Sequence, residues 1–346
     1  MNNSVDQILS EYKAQQHWER REYKAALDHA VVAADKALNG ADVTGYLRMT
    51  LLLAECQLEL GMKQEFAASA KKLSENLEMQ GDPAMTARAK VLHSRALEAL
   101  GHISESLVVA QEAAAIRATE SADSADAARQ LEMLHSLVAA LAESGEIVEA
   151  WNYALEMVKL ADGQDDQLVA GKAYWAVGNV AFFKDDGESG VRYHALAAKN
   201  LAPGNDVNTW ALFNKASAEV RLSAGVVTSE TLECIERAEL AYSVTGASPL
   251  QELEISLIRA RWLLLTGKAD EASERVRQIL DHRNLLPDHT LAEVEYVAAL
   301  ALYELGRNDE ALVVAGHSEK VFIGHGAKRR SLEVRALIDS INAGSH

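Results

Sequence analysis

The chain has 346 residues and carries 34 Lys and Arg against 51 Asp and Glu, a formal net charge of −17. A surface this acidic repels phosphate backbones, which argues against direct nucleic-acid binding. No apolar run approaches the roughly 18 residues of a membrane span. Apolar residues make up 49% and charged residues 25%, with four prolines and 5% aromatics; a mixture led by alanine and leucine favours helices over strands.

The first residues, MNNSVDQILSEYK, lack the basic and apolar regions of a secretion signal. Cys56 and Cys234 lie far apart in helical patterns and form no disulfide framework. Both features are expected of a cytoplasmic protein. Along the chain a turn residue then recurs. Gly61, Gly101, Gly145, Gly187, Gly225, Gly267 and Gly306 are separated by 40, 44, 42, 38, 42 and 39 residues, and a step of 40 back from Gly61 reaches Arg21 in WERREYKAAL. A period of this size predicts a solenoid of helix pairs, each packed mainly on its neighbours.

The segment Leu131 to Ala161 shows the unit most clearly. Leu131, Leu134, Leu137, Val138 and Leu141 form one apolar stripe, Ser144-Gly145 ends that helix, and a second helix carries Ala150, Ala154 and Met157 inward. Five residues past the turn stands a small side chain: Ala26, Ser106, Ala150, Ala272 and Ala311. Its size lets the two helices of a pair approach closely. Phe66 holds that place after Gly61, so this pair is expected to pack differently. Eight pairs result, followed by a closing helix from Lys328 to Asn342 whose Lys328-Arg329-Arg330 run is expected to be solvated.

A turn glycine with a small residue five positions on resembles the tetratricopeptide repeat. The resemblance covers roughly residues 10 to 325, although those repeats are 34 residues long and these average about 40. It implies an all-α, right-handed superhelical solenoid of about eight helix pairs, with a capping helix over 327–342, as a single domain spanning 1–346. The stretches AYWAVGNVAFFKDDGESGVRYHALAAKNLAP and NTWALFNKASAEVRLSAGVVTSETLECIERAEL further resemble the repeat region of actinobacterial helix-turn-helix regulators, related to peptide-pheromone receptors of the Rap and PlcR type. In that wider family inner-helix asparagines hold a peptide backbone, and Asn179 and Asn214 occupy comparable places. With the repeat pattern starting by Tyr12, the DNA-binding domain of such regulators is not expected within these residues.

In such a solenoid the first helix of each pair lines a groove able to take a peptide. With the turn residue as the fifteenth position, the second, fifth, ninth and twelfth face inward. They supply Arg48, Arg88, Arg95, His135, Lys172, Trp175, Asn179, Phe183, Asn214, Arg261 and Tyr296 as candidate peptide-binding residues. Arginine forks suit carboxylates, which points to an acidic or carboxylate-ended peptide; the competing reading pairs these arginines with glutamates of neighbouring repeats such as Glu55. Of Trp175, Phe182 and Phe183, two are expected in the core.

No phosphate loop, dinucleotide fingerprint, zinc-protease motif or nucleophile elbow is present. Asp281-His282 and Asp288-His289 read as a polar connection, not a metal site. The expectation is therefore a non-catalytic protein with no cofactor or metal. It binds a peptide or protein segment and acts as a regulatory or signalling sensor. The alternative is a structural scaffold or homo-oligomer, a homodimer for instance, working through its outer faces or ends.

Overall fold

Helix-forming stripes interrupted by left-handed turn residues give seventeen α-helices and one short 3-10 turn among the described residues, with no strand. The computed structural model describes residues 2–80, 83–118, 127–204 and 206–344. Among the described residues no helix is long and apolar enough to cross a membrane. The chain is an all-α solenoid of successive antiparallel helix pairs, and its contacts divide it into two units.

The first unit, Met1–Leu100 with Val108–Ala122, contains α1 (Asn2–Glu19), α2 (Tyr23–Asn39), α3 (Val43–Glu59), α4 (Lys63–Gln80), α5 (Pro83–Ala99) and most of α6 (Ile103–Ala118). Arg21 makes the first turn in the left-handed region at φ 61°, as the spacing predicts for a turn without its glycine. Ala26 behind it is fully buried beside Ala14 and Ala30. Phe66 is 1% exposed, in a cluster with Leu47, Leu51, Ala54, Ala70, Leu73, Leu77, Ala89, Leu92 and Ala96.

The second unit, Gly101–Leu107 with Asp123–His346, holds the start of α6 and all the later helices. These are α7 (Ala127–Ser144), α8 (Ile147–Ala161), α9 (Gln167–Phe183), α10 (Gly187–Asn200), α11 (Val207–Ser223), α12 (Ser229–Thr245), α13 (Pro249–Leu265), α14 (Ala269–Leu280), α15 (Asp288–Glu304), α16 (Asn308–Gly324) and α17 (Lys328–Gly344). Carboxylates and hydroxyls cap many of them: Asp166 caps α9, Asp206 caps α11, and Ser248 with Gln251 forms a capping box on α13. The 281–287 connection carries a 3-10 turn, Arg283–Leu285, while Asp288 and His289, expected in that connection, form the first turn of α15.

One turn departs from the expected register. Gly187 opens α10; the left-handed residue is Asp185, at φ 62°, and Asp186 caps the helix by accepting from the Ser189 amide at 3.0 Å. Aspartate tolerates the left-handed region and makes the cap, so no glycine is needed there. Placing the turn at 185 leaves intervals of 40 from Gly145 and 40 to Gly225. The small residue five positions on then becomes Gly190, where an added Cβ would lie 2.8 Å from the Phe182 ring.

In the second unit the odd-numbered helices form a contact series of their own. α7 packs on α9, α9 on α11, α11 on α13, α13 on α15 and α15 on α17; α17 then returns to α7. Each even helix packs on an odd helix beside it. Six helices thus make a closed inner ring. α17 completes it by burying Val334, Leu337 and Ile341 in a cluster that includes Ile103, Ala292, Tyr296, Ala299 and Phe322.

Gly190→Ala should destabilise the chain by about 1–3 kcal/mol, as overpacking a close helix contact does. Gly187→Ala, with nothing within 4 Å of its Cβ position, should be nearly neutral. Paired thermal melts check the register directly, and equal melting of the two variants would contradict it.

Candidate functional site on the inner ring

Side chains from all six ring helices converge on the start of α17. Arg330 is only 4% exposed. Its Nε lies 2.7 Å from a Glu293 carboxylate oxygen on α15, and its Nη atoms reach Glu219 on α11 at 3.1 Å and Glu333 on its own helix at 3.0 Å. Arg329 donates from Nη2 to both oxygens of Glu143 on α7 at 2.9 Å and from Nη1 to Glu333 at 2.7 Å. Its guanidinium stands 4.2 Å above the ring of Phe183 on α9. α13 contributes Arg261, which covers the Tyr296 ring at 5.8 Å.

The basic run at 328–330 is therefore not a solvated helix end; only Lys328, 3.7 Å from Glu146, stays exposed. Local sequence could not show this, because the partners on other helices, Glu293, Glu219 and Glu143, stand 37, 111 and 186 residues away. Seven groups make up the cluster: three guanidiniums (Arg261, Arg329, Arg330) and four carboxylates (Glu143, Glu219, Glu293, Glu333). Burial opposes ionisation of Glu143, but Arg329 and Arg330 outweigh it and hold the carboxyl below its usual range. Glu333 behaves likewise, with Arg330 and Arg329 overcoming burial. At Glu293 burial wins. Aided by repulsion from Glu219 and Glu333, it pushes the carboxyl up to about 7 against the pull of Arg330 and Arg261.

The expected groove residues divide between the units. In the first, Arg48 pairs with Glu11 on α1, and Arg88 pairs with Glu55 on α3, each at 2.5 Å; both arginine side chains stay accessible, at 52% and 40%. Arg95 is half-buried on α5. In the second unit Phe183, Arg261 and Tyr296 join or border the α17 cluster, while His135 and Lys172 are half-buried on α7 and α9. Asn214 is 1% exposed and donates to the Trp210 carbonyl of its own helix, so it presents no amide to a groove. Trp175 is half-buried edge-on to Phe213, and Phe182 belongs to the core.

Asn179 belongs to a different device. His194, 1% exposed, lies with Nε2 3.0 Å from Asn179 Oδ1 and Nδ1 2.8 Å from Ser217 Oγ. Burial, and secondarily Arg221, lowers its pKa to about 3, so the imidazole is neutral. The consistent arrangement has Ser217 donating to Nδ1 and Nε2–H donating to Asn179. A serine–histidine–amide relay invites comparison with a nucleophile. Here Ser217 is 1% exposed and its oxygen also accepts from Arg221 Nε at 3.2 Å, so no carbonyl can approach it. The relay ties α9, α10 and α11 together. Among the described residues no group of three or more His, Cys, Asp or Glu is placed to hold a metal ion.

No family model and no curated protein matches the chain. Among solved structures, the crystal structure of yeast Tom70 aligns over 98% of this chain and 96% of its own, at 9% identity and a TM-score of 0.32. A likeness that loose carries no argument about this chain, and the fold rests on its own helix pairs.

The cluster gives the ring a pH response with a defined sign. A carboxyl whose pKa is raised on folding contributes fully below its ordinary value of 4.5, and that contribution is lost as pH rises through about 7. Glu143 and Glu333, held low, contribute above the ordinary range and lose that contribution in acid. Glu293→Gln should therefore flatten the fall in melting temperature between about pH 5 and about pH 8, the window in which Glu293 ionises. An unchanged pH slope in this variant would refute the assignment.

Proposed function

We propose that this chain is a non-catalytic protein-binding repeat acting as a conformational sensor. It holds a peptide or protein segment on the inner faces of its odd-numbered helices. In its second unit, the segment seated there sets whether the ring is closed. The observation that carries the reading is the seat of α17: every other ring helix supplies a side chain to hold or border its arginines. Buried ion pairs offset their own desolvation only narrowly, so a helix held this way is positioned specifically without being held irreversibly. That balance is what a two-state element requires. The resemblance of the middle repeats to the sensor regions of bacterial regulators supports a regulatory role.

The expected ligand chemistry changes in one respect. In the second unit the inner face offers carboxylates to arginines, the reverse of arginines waiting for an acidic peptide. The accessible Arg48 and Arg88 leave the acidic-peptide reading to the first unit, where each could exchange its glutamate for a ligand carboxylate.

Replacing Arg329 and Arg330 together by alanine should leave Glu143, Glu219 and Glu293 unpaired and weaken closure by about 3–5 kcal/mol. Hydrogen exchange should then show α17 losing protection while α7 to α16 keep theirs. If α17 stays protected in that variant, the sensor reading fails.

A second reading has its own observation. Val5, Ile8, Leu9 and Tyr12 are all about half exposed or more and follow helical spacing on α1, an apolar stripe suited to a homodimer contact. Under this reading light scattering gives a dimer for the native chain and a monomer for Leu9→Glu/Tyr12→Glu. A native monomer excludes it.

A further inference from the structure

We propose that the seat of α17 is an acceptor site for an arginine-bearing helix supplied by a partner protein, which enters by displacing α17. This rests on the sensor reading above and adds the identity of the partner by its chemistry. Without the α17 side chains, the seat keeps the carboxyl groups of Glu143, Glu219 and Glu293 against the single guanidinium of Arg261, and Glu143 with Glu219 already outnumber it. Phe183 adds a ring face that suits a guanidinium more than an ammonium. The seat is thus net acidic, planar-fork selective and lined by an aromatic. An overall charge of −17 favours approach by a basic segment.

α17 displays the pattern the seat accepts. Two adjacent arginines, Arg329 and Arg330, open the inward face. Glu333, three residues past the second, accepts from both and keeps the forks aimed. Val334, Leu337 and Ile341 follow at four, seven and eleven positions past Arg330 and bury against the cluster around Ala292 and Tyr296. On the opposite face Leu332 is 61% exposed, and Arg335, 56% exposed, pairs with Glu319 on α16. A partner helix is therefore expected to carry Arg-Arg, an acid three positions on, and apolar residues at those intervals. Lysines in place of the arginines would lose the span across carboxylates, because Arg329 reaches Glu143 and Glu333 through different nitrogens and Arg330 reaches Glu293, Glu219 and Glu333 through three. Because α17 is tethered, its effective concentration is high and an outside helix must overcome it.

The experiment uses full-length protein and a fluorescent peptide of the 327–344 sequence, with a control peptide in which both arginines are glutamine. In the Arg329→Ala/Arg330→Ala protein, the native peptide should bind at least about tenfold tighter than the control, a factor equivalent to one lost charged contact. The intact protein should bind it at least about tenfold more weakly than the variant does, because its own helix competes. Adding Glu143→Gln, Glu219→Gln and Glu293→Gln to the variant should remove the preference for arginine. If the double variant does not fold, the single Arg330→Gln protein takes its place.

Equal binding of the two peptides would overturn the proposal. So would failure to bind native peptide by a variant whose α17 is released by hydrogen exchange; that outcome leaves the sensor reading standing. If α17 is never released, the sensor reading falls and this inference with it. A native dimer that the peptide converts to monomer would assign the seat to α17 of a second copy instead, which also overturns the partner assignment.

Discussion

Placing Arg330 inside the protein constrains much else in the second unit. A guanidinium cannot shed its charge and cannot be left without acceptors away from water, so its burial demands carboxylates at fixed positions. Those carboxylates come from α11, α15 and α17 itself, while Arg329 draws in Glu143 from α7. Elements far apart in sequence are thereby required to meet at one place. The closed series of odd helices satisfies that requirement, and the apolar residues of α17 secure it. Charge sets where the last helix goes; apolar burial keeps it there.

The ring can be this tight because small residues stand where helices cross. An added Cβ at Gly178 would lie 2.2 Å from the His194 ring, and one at Gly190 would run into Phe182. These contacts let His194 reach both Asn179 and Ser217, so that one neutral imidazole links three helices. Such a fully satisfied polar chain in an apolar setting narrows the set of packings the helices can adopt. The two polar assemblies, one neutral and one ionic, therefore have different roles. The histidine chain fixes the spacing of the middle pairs, and the arginine cluster fixes the closure.

The two units present opposite chemistry on their odd helices. In the first, arginines on α3 and α5 are accessible and held by one carboxylate each, so exchanging partners costs little. In the second, arginines on the last helix are buried among several carboxylates, and any change of partner is a change of conformation.

Much of the architecture could be read from the sequence. Left-handed turns at Arg21, Gly61, Gly101, Gly145, Gly225, Gly267 and Gly306, with small residues behind most of them, follow from local backbone and steric rules that act within a few residues. The one slip, at Gly187, arose because aspartate can take both the turn and the cap, so the glycine nearest the expected place was not the turn. Inner-face periodicity named Phe183, Arg261 and Tyr296 as separate groove candidates, and the structure gathers them at the start of α17. Spacing could not say that this place was already filled. Whether Arg329 and Arg330 face water or glutamates depends on where α7, α11 and α15 lie once every pair has packed, and the burial of Asn214 depends on the same packing. Helix pairing is local and so is written in the spacing of the residues. The partners of a buried charge are decided only by the summed geometry of all the pairs between them.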